Sequence, residues 1–228
     1  MPKKAGMETW KKQRRMEYLE KREYRYYIFC EGERTEPLYF AGFKQLIEEN
    51  PIYHEMVMVQ IEPCGAETMR VISMAEDYVR KNRITKGQIW CVYDKDSFPA
   101  YRFNGVSERA AVLNKDNPEL QYHVAWSNEC IEFWFILHFD YYISNNHRSE
   151  YINYLTAKFK ELGVGSYEKN RADTFRILRE YGREDLAIRY ARRIIEENEG
   201  KTPAEISPGT KVYELVEELE RYCEKNEI

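Results

Sequence analysis

Three acidic clusters carry the residues most able to do chemistry. Cys30-Glu31-Gly32-Glu33-Arg34-Thr35-Glu36 ends an apolar run on a carboxylate, then adds a glycine and two more carboxylates before a helical pattern begins. Asp94-Lys95-Asp96 ends another apolar run. Residues two apart on an extended segment point the same way, so this pair presents two carboxylates to one spot. Ser127-Asn128-Glu129-Cys130-Ile131-Glu132 follows a further apolar run, and Glu129 and Glu132 stand three apart, on one face if the segment is helical. Carboxylates gathered in this way repel one another unless something positive lies between them, and Mg²⁺ or Mn²⁺, which prefer oxygen ligands, are the natural neutralisers. Plainer readings stand beside this one. Glu36 suits a helix N-terminus, Ser127 suits an N-cap, and an Asp-x-Asp pair is common by chance. Glu132 lies among Ile131, Phe133 and Trp134, so it is expected to be partly buried and to need a metal or a basic partner. Trp134 reads as packing and His138 as a hydrogen-bonded core histidine.

The elements that must position these acids follow from periodicity. Tyr26–Cys30, Met56–Ile61, Ile89–Tyr93 and Tyr122–Trp126 are short runs of β-branched and aromatic residues, as strands should be. Helical patterns fill the gaps: Pro37–Glu49, Glu67–Lys81 with Met69, Ile72, Met74, Ala75 and Val79 turned to a core, and Val106–Lys115. Alternation of this kind predicts a mostly parallel four-stranded sheet flanked by helices, an α/β fold in which sites form beyond the carboxyl ends of the strands. Glu129–Phe139 reads as a buried helix, and the chain after it as mostly helical. Asp185–Glu197 and Val212–Cys223 carry apolar stripes, and a Ser207–Thr210 turn before the second makes Thr210 a candidate N-cap. The expected organisation is a basic N-terminal segment over 1–24, an α/β core over 25–140, and an α-helical C-terminal extension over 141–228.

Composition narrows the class. The 228 residues are 43% hydrophobic and 32% charged, a folded composition. No run approaches the ~20 apolar residues of a membrane span. The N-terminus lacks the apolar stretch of a secretory signal. Five scattered cysteines with no C-x-x-C pair read as reduced thiols in a cytoplasmic protein, and neither they nor the four histidines have zinc-ligand spacing. Net charge is −4, unevenly spread: residues 1–25 hold nine Lys/Arg and four Asp/Glu, which leaves the body at −9. A basic arm suits phosphate contact or a partner, with Trp10, Tyr18 and Tyr24 along it. An acidic body suits metal-binding carboxylates. No Gly-Lys-Thr phosphate loop is present, so any nucleotide hydrolysis must come from a partner.

The spaced motifs Cys-Glu-Gly-Glu-x-Thr-Glu, Asp-x-Asp, Ser-Asn-x-Cys-x-Glu-x-Trp with Leu-His-Phe behind it, and the Ser-Pro-x-Thr-x-Val-x-x-Leu-Val of Ser207–Val216 resemble the RloB (AbiLii-like) family over residues 25–220. Glu129 stands where that family usually has Pro, which favours Glu132 as the site residue. The resemblance implies a Toprim-type nuclease related to those of OLD-type systems, serving anti-phage defence and abortive infection beside an ABC-type ATPase. Carried over, Glu31, Asp94 and Asp96 match the Toprim acids as catalytic and metal-binding residues. Glu36, Ser127 and Glu132 match further metal ligands, and Lys169 a catalytic lysine. The implied reaction is Mg²⁺- or Mn²⁺-dependent phosphodiester hydrolysis of DNA, RNA or tRNA, with Arg189, Arg192 and Arg193 as backbone contacts. A homo-oligomer is left open and a membrane is not expected. The rivals are another Toprim reaction, such as nicking-rejoining or primer synthesis, and a non-catalytic nucleic-acid-binding or regulatory subunit of the same defence complex.

Overall fold

The computed structural model describes residues 22–223. Trp10, Tyr18 and nearly all of the basic segment expected over 1–24 lie outside the described residues.

The four apolar runs form parallel strands, each followed by a helix. In chain order these are β1 (Tyr24–Cys30), α1 (Thr35–Glu49), β2 (Val57–Pro63), α2 (Thr68–Asn82), β3 (Gly87–Asp94), α3 (Ala100–Leu113) and β4 (Leu120–Asn128). Then come α4 (Glu132–Leu137), α5 (Arg148–Glu161), α6 (Thr174–Tyr181), α7 (Glu184–Glu196), a 3₁₀ turn at Pro203–Glu205, β5 (Gly209–Thr210) and α8 (Val212–Glu220). The sheet has the order β2-β1-β3-β4-β5, with β1–β4 parallel and β5 antiparallel to β4. The chain leaves β1 to one side for β2 and then crosses back for β3. The carboxyl ends of β1 and β3 therefore flank the switch point, where open α/β sheets form their crevice.

The sheet is five-stranded, not four-stranded. The fifth strand comes from the C-terminal part, where the sequence suggested a turn. Thr210 is fully buried. Its hydroxyl donates to the Trp126 carbonyl (3.1 Å) and accepts from the Val212 N–H (3.2 Å) while it contacts the Ser127 hydroxyl (3.0 Å). Thr210 thus satisfies the first turn of α8 from within β5, and the residue at the cap position is Lys211.

On one face of the sheet α2 and α3 pack through Tyr78 on Phe29 and Phe103 on Trp126. The other face carries Tyr26, whose hydroxyl meets Glu218 (3.2 Å) of α8 and Tyr222 (3.0 Å) just beyond it. The helix expected over Glu129–Phe139 is only six residues long, because β4 runs on to Asn128 and a turn intervenes. Ser127 is therefore a strand residue, not an N-cap, and Glu129 shares no helical face with Glu132. All six residues of α4 are buried, as an all-apolar helix with one acid at its start must be. Met69 is 37% exposed, not turned to the core, and lies over Gly105 on α3. Among the described residues no helix is long and apolar enough to cross a membrane, and all five cysteines are free thiols.

Trp134 is fully buried and its indole N–H donates to the Tyr39 hydroxyl (2.8 Å), which ties α4 to α1. Trp134→Ala is expected to lower the unfolding free energy by about 3–5 kcal/mol, through the cavity left behind, as measured by urea denaturation.

Candidate active site

Glu31 lies one residue past β1, and its backbone N–H continues the ladder to the Val92 carbonyl (2.9 Å). One carboxylate oxygen accepts the Asp94 N–H (2.8 Å) and the other accepts the Thr68 hydroxyl (3.1 Å). A single side chain thus joins the ends of β1 and β3 to the start of α2. Burial pushes its pKa up to about 7, against the two hydrogen bonds, which favour the ionised form. Asp94 is the last residue of β3. Its Oδ1 is buried with no hydrogen-bond partner. Burial first, then Glu36, Glu132, Glu31 and Asp96, hold its pKa well above the usual carboxylate range.

Glu36 lies in the first turn of α1 and is 5% exposed. Gly32 makes room for it: a Cβ at that position would lie 2.1 Å from Glu36 Oε2. The Glu36 carboxylate thus packs directly against the Gly32 backbone. Burial raises the Glu36 pKa to about 7, with Glu132 adding to the effect and a backbone N–H and Lys169 opposing it. Glu132, the first residue of α4, is 1% exposed. Its Oε1 accepts the Tyr167 hydroxyl (2.9 Å) and lies 3.7 Å from the Lys169 ammonium, while its Oε2 is buried without a partner. Lys169 is drawn in by its own main chain, whose carbonyl accepts the Thr35 hydroxyl (2.7 Å). Burial lowers the Lys169 pKa, but Glu132, Cys130 and Asp94 outweigh it and hold the value above the ordinary one.

Glu31, Glu36, Asp94, Asp96 and Lys169 line one open cleft of about 560 Å³ at the switch point. Asp96 reaches it by a different route from the one the sequence suggested. It is not extended: its φ is +45°, its N–H donates to the Glu129 carbonyl (3.0 Å), and its carboxylate pairs with Arg148 at the start of α5. Ser127 stands opposite Asp94 in the sheet register, buried, with its hydroxyl against Thr210. Because the Thr210 proton goes to the Trp126 carbonyl, Ser127 is the donor in that contact. Nothing in the sequence singles out Thr68, Tyr167 or Arg148. Each is a common residue type in an ordinary segment, and only the fold brings it to an acid.

Arg189, Arg192 and Arg193 do not line this cleft. All three lie on α7 and are engaged by Asp185 (3.1 Å), Glu217 and Glu197 (2.7 Å) respectively. Arg192 borders a separate groove of about 660 Å³ over Trp90 and His123. His138 is the core histidine expected, with Nδ1 3.1 Å from the Trp134 carbonyl and a pKa lowered by burial to about 4.

Among the described residues, no three Asp, Glu, His or Cys side chains are already gathered into a metal-holding group. The donor chemistry nevertheless fits a hard divalent cation. The cleft offers carboxylate oxygens and no thiolate or imidazole, and the buried Asp94 Oδ1 and Glu132 Oε2 have no donor to satisfy them.

The chain matches the family model for RloB-like proteins over residues 26–219, and it belongs to that family. No curated protein and no solved structure matches it.

The raised carboxyl groups set a pH dependence. Glu31 and Glu36 titrate near 7 in the folded chain but have an ordinary value of 4.5. Between these values the native state holds protons that the unfolded chain has released, so stability falls as pH rises through the window and stays lower above it. Melting in EDTA is expected to show a lower midpoint at pH 7.5 than at pH 5, and Glu36→Gln should flatten the difference.

Proposed function

We propose that this RloB-like protein is a Toprim-type nuclease that hydrolyses phosphodiester bonds of nucleic acid with Mg²⁺ or Mn²⁺. The observation that carries the reading is the convergence of Glu31, Glu36, Asp94 and Glu132, with two partnerless buried carboxylate oxygens, at the switch point of a parallel sheet. Glu31, Asp94, Glu36 and Glu132 would hold the cation, with Asp96 and Ser127 at its margin. When bound, divalent metal supplies an activated water and neutralises charge on the phosphodiester. The chain's own residues do the rest. Thr68 and the Asp94 N–H fix the Glu31 carboxylate, and Tyr167 fixes that of Glu132. Lys169, half-exposed at 46%, is free to swing its ammonium from Glu132 to a phosphate oxygen, where fixed positive charge favours the developing negative charge. Arg148 holds Asp96 out of the ligand set until that ion pair opens.

The role in anti-phage defence and the ABC-type ATPase partner rest on the family resemblance, and the cytoplasmic location on the scattered free cysteines. A free nuclease would harm its own cell, which gives a restraining partner its purpose. The Asp96–Arg148 pair favours a second reading, a non-catalytic nucleic-acid-binding or regulatory subunit of the same complex, in which the acids serve structure.

One experiment separates the two. The purified full chain, with and without the neighbouring ATPase, is incubated with DNA, RNA and tRNA in Mg²⁺, Mn²⁺ or EDTA. Cleavage is expected only with metal. Glu31→Gln and Asp94→Asn should each slow it by at least the ~100-fold that loss of an outer-shell metal partner can cost, with the fold intact. Cleavage that survives EDTA, or variants as active as the parent, would contradict the proposal. Binding without cleavage in every arm would favour the regulatory reading.

A further inference from the structure

The cleft that holds the acids is a poor attractor of nucleic acid by charge alone. The body beyond residue 25 carries −9, and the three arginines of α7 are already occupied by carboxylates. Apart from the basic arm over residues 1–25, a polyanion there depends on contacts at the cleft that use something besides bulk charge.

Two features at its rim meet that need. The first is aromatic. Phe98 lines the cleft, fixed by its N–H to the Lys95 carbonyl (3.0 Å) in the turn that carries Asp94 and Asp96. Pro99 follows as the N-cap of α3, and Tyr101 comes in the first turn. At 70% exposure Tyr101 is the most exposed large hydrophobic side chain among the described residues. A chain of contacts locates it beside the cleft: the Arg102 Nε donates to the Tyr101 hydroxyl (3.3 Å), and the Arg102 guanidinium pairs with Glu67 (2.9 Å), which lines the cleft. The second feature is cationic. Arg34 also lines the cleft, and among the described residues its guanidinium has neither a hydrogen bond nor an ion pair. Nearly every other described arginine has such a partner, so a free guanidinium beside buried acids is unusual in this chain.

We propose that Tyr101 and Phe98 form a stacking shelf which, with Arg34, binds an unpaired strand of nucleic acid at the mouth of the acid cleft. A base stacks on the Tyr101 ring and a phosphate meets Arg34. Stacking tolerates any sequence because every base has a π-face, and it works where net charge is unfavourable. It also selects against duplex, in which both faces of each base are covered by neighbours. This deepens the nuclease reading, on which it rests for the identity of the cleft, by naming single-stranded or unpaired nucleic acid as the substrate class.

The test is binding of a fluorescently labelled single strand of mixed sequence, about 16 nucleotides long, and of the corresponding duplex, to the full chain in Ca²⁺. Manganese-dependent cleavage is measured in parallel. Tyr101→Ala and Arg34→Ala should each weaken single-strand binding about fivefold or more, the lower end of what one lost stacked base costs. Tyr101→Phe should bind like the parent, since the ring and not the hydroxyl is used, and thermal melting should not move. Duplex should bind more weakly than single strand throughout. Unchanged binding by Tyr101→Ala, or equal affinity for duplex, overturns the shelf. If the parent cleaves while Tyr101→Ala binds normally, the shelf alone fails. If the parent binds single strands through Tyr101 yet cleaves nothing, the nuclease reading fails and the shelf stands. A chain that binds neither probe overturns the shelf as well.

Discussion

Carboxylates brought together out of water are the constraint on which the rest of this structure depends. Glu36 and Glu132 are nearly inaccessible, and Asp94 and Glu132 each bury an oxygen that nothing in the protein satisfies. Such groups repel one another and lose hydration, and their pKa values rise accordingly at Glu31, Glu36 and Asp94. The fold sustains the arrangement because donors are built in around it: the Asp94 N–H and Thr68 on Glu31, Tyr167 on Glu132, Arg148 on Asp96. Holding these acids together costs stability, which is the physical mark of a candidate functional site.

The two parts of the chain share the work of making that place. The parallel strands supply Glu31 and Asp94 at adjacent strand ends. The later segments supply what surrounds them. The apolar helix after β4 presents Glu132, the helix at Arg148 meets Asp96, and the loop after it carries Tyr167 and Lys169. The Gly209–Thr210 strand closes the sheet beyond Ser127. The C-terminal extension is therefore bonded into the sheet and the site, which explains why motifs spaced along nearly the whole chain belong together.

Much of this was legible in the sequence. A parallel sheet followed from apolar runs alternating with amphipathic ones, and strand-end acids at Glu31 and Asp94 followed from where those runs stop. What escaped was set by tertiary contact. Asp96 was expected to copy the direction of Asp94 on an extended strand, but the strand ends at Asp94 and the next turn goes left-handed. Ser127 and Thr210 looked like caps because hydroxyls before helical patterns usually are, yet both are strand residues whose hydroxyls face each other. Arg189, Arg192 and Arg193 formed an obvious basic group, but basic groups on helices mostly meet acids on the same or the next helix, as these do. Arg34, unpaired among the described residues, is inconspicuous in sequence because pairing is decided by neighbours that only the fold supplies.

The proposed function requires that the converging acids hold a divalent cation. It is tested most directly by anomalous diffraction from crystals of the full chain soaked in Mn²⁺. The account predicts a manganese peak coordinated by Asp94, with Glu31 and at least one of Glu36 and Glu132 as further ligands, and no such peak in Asp94→Asn crystals. A peak elsewhere on the molecule, or none in the cleft at saturating manganese, would contradict it.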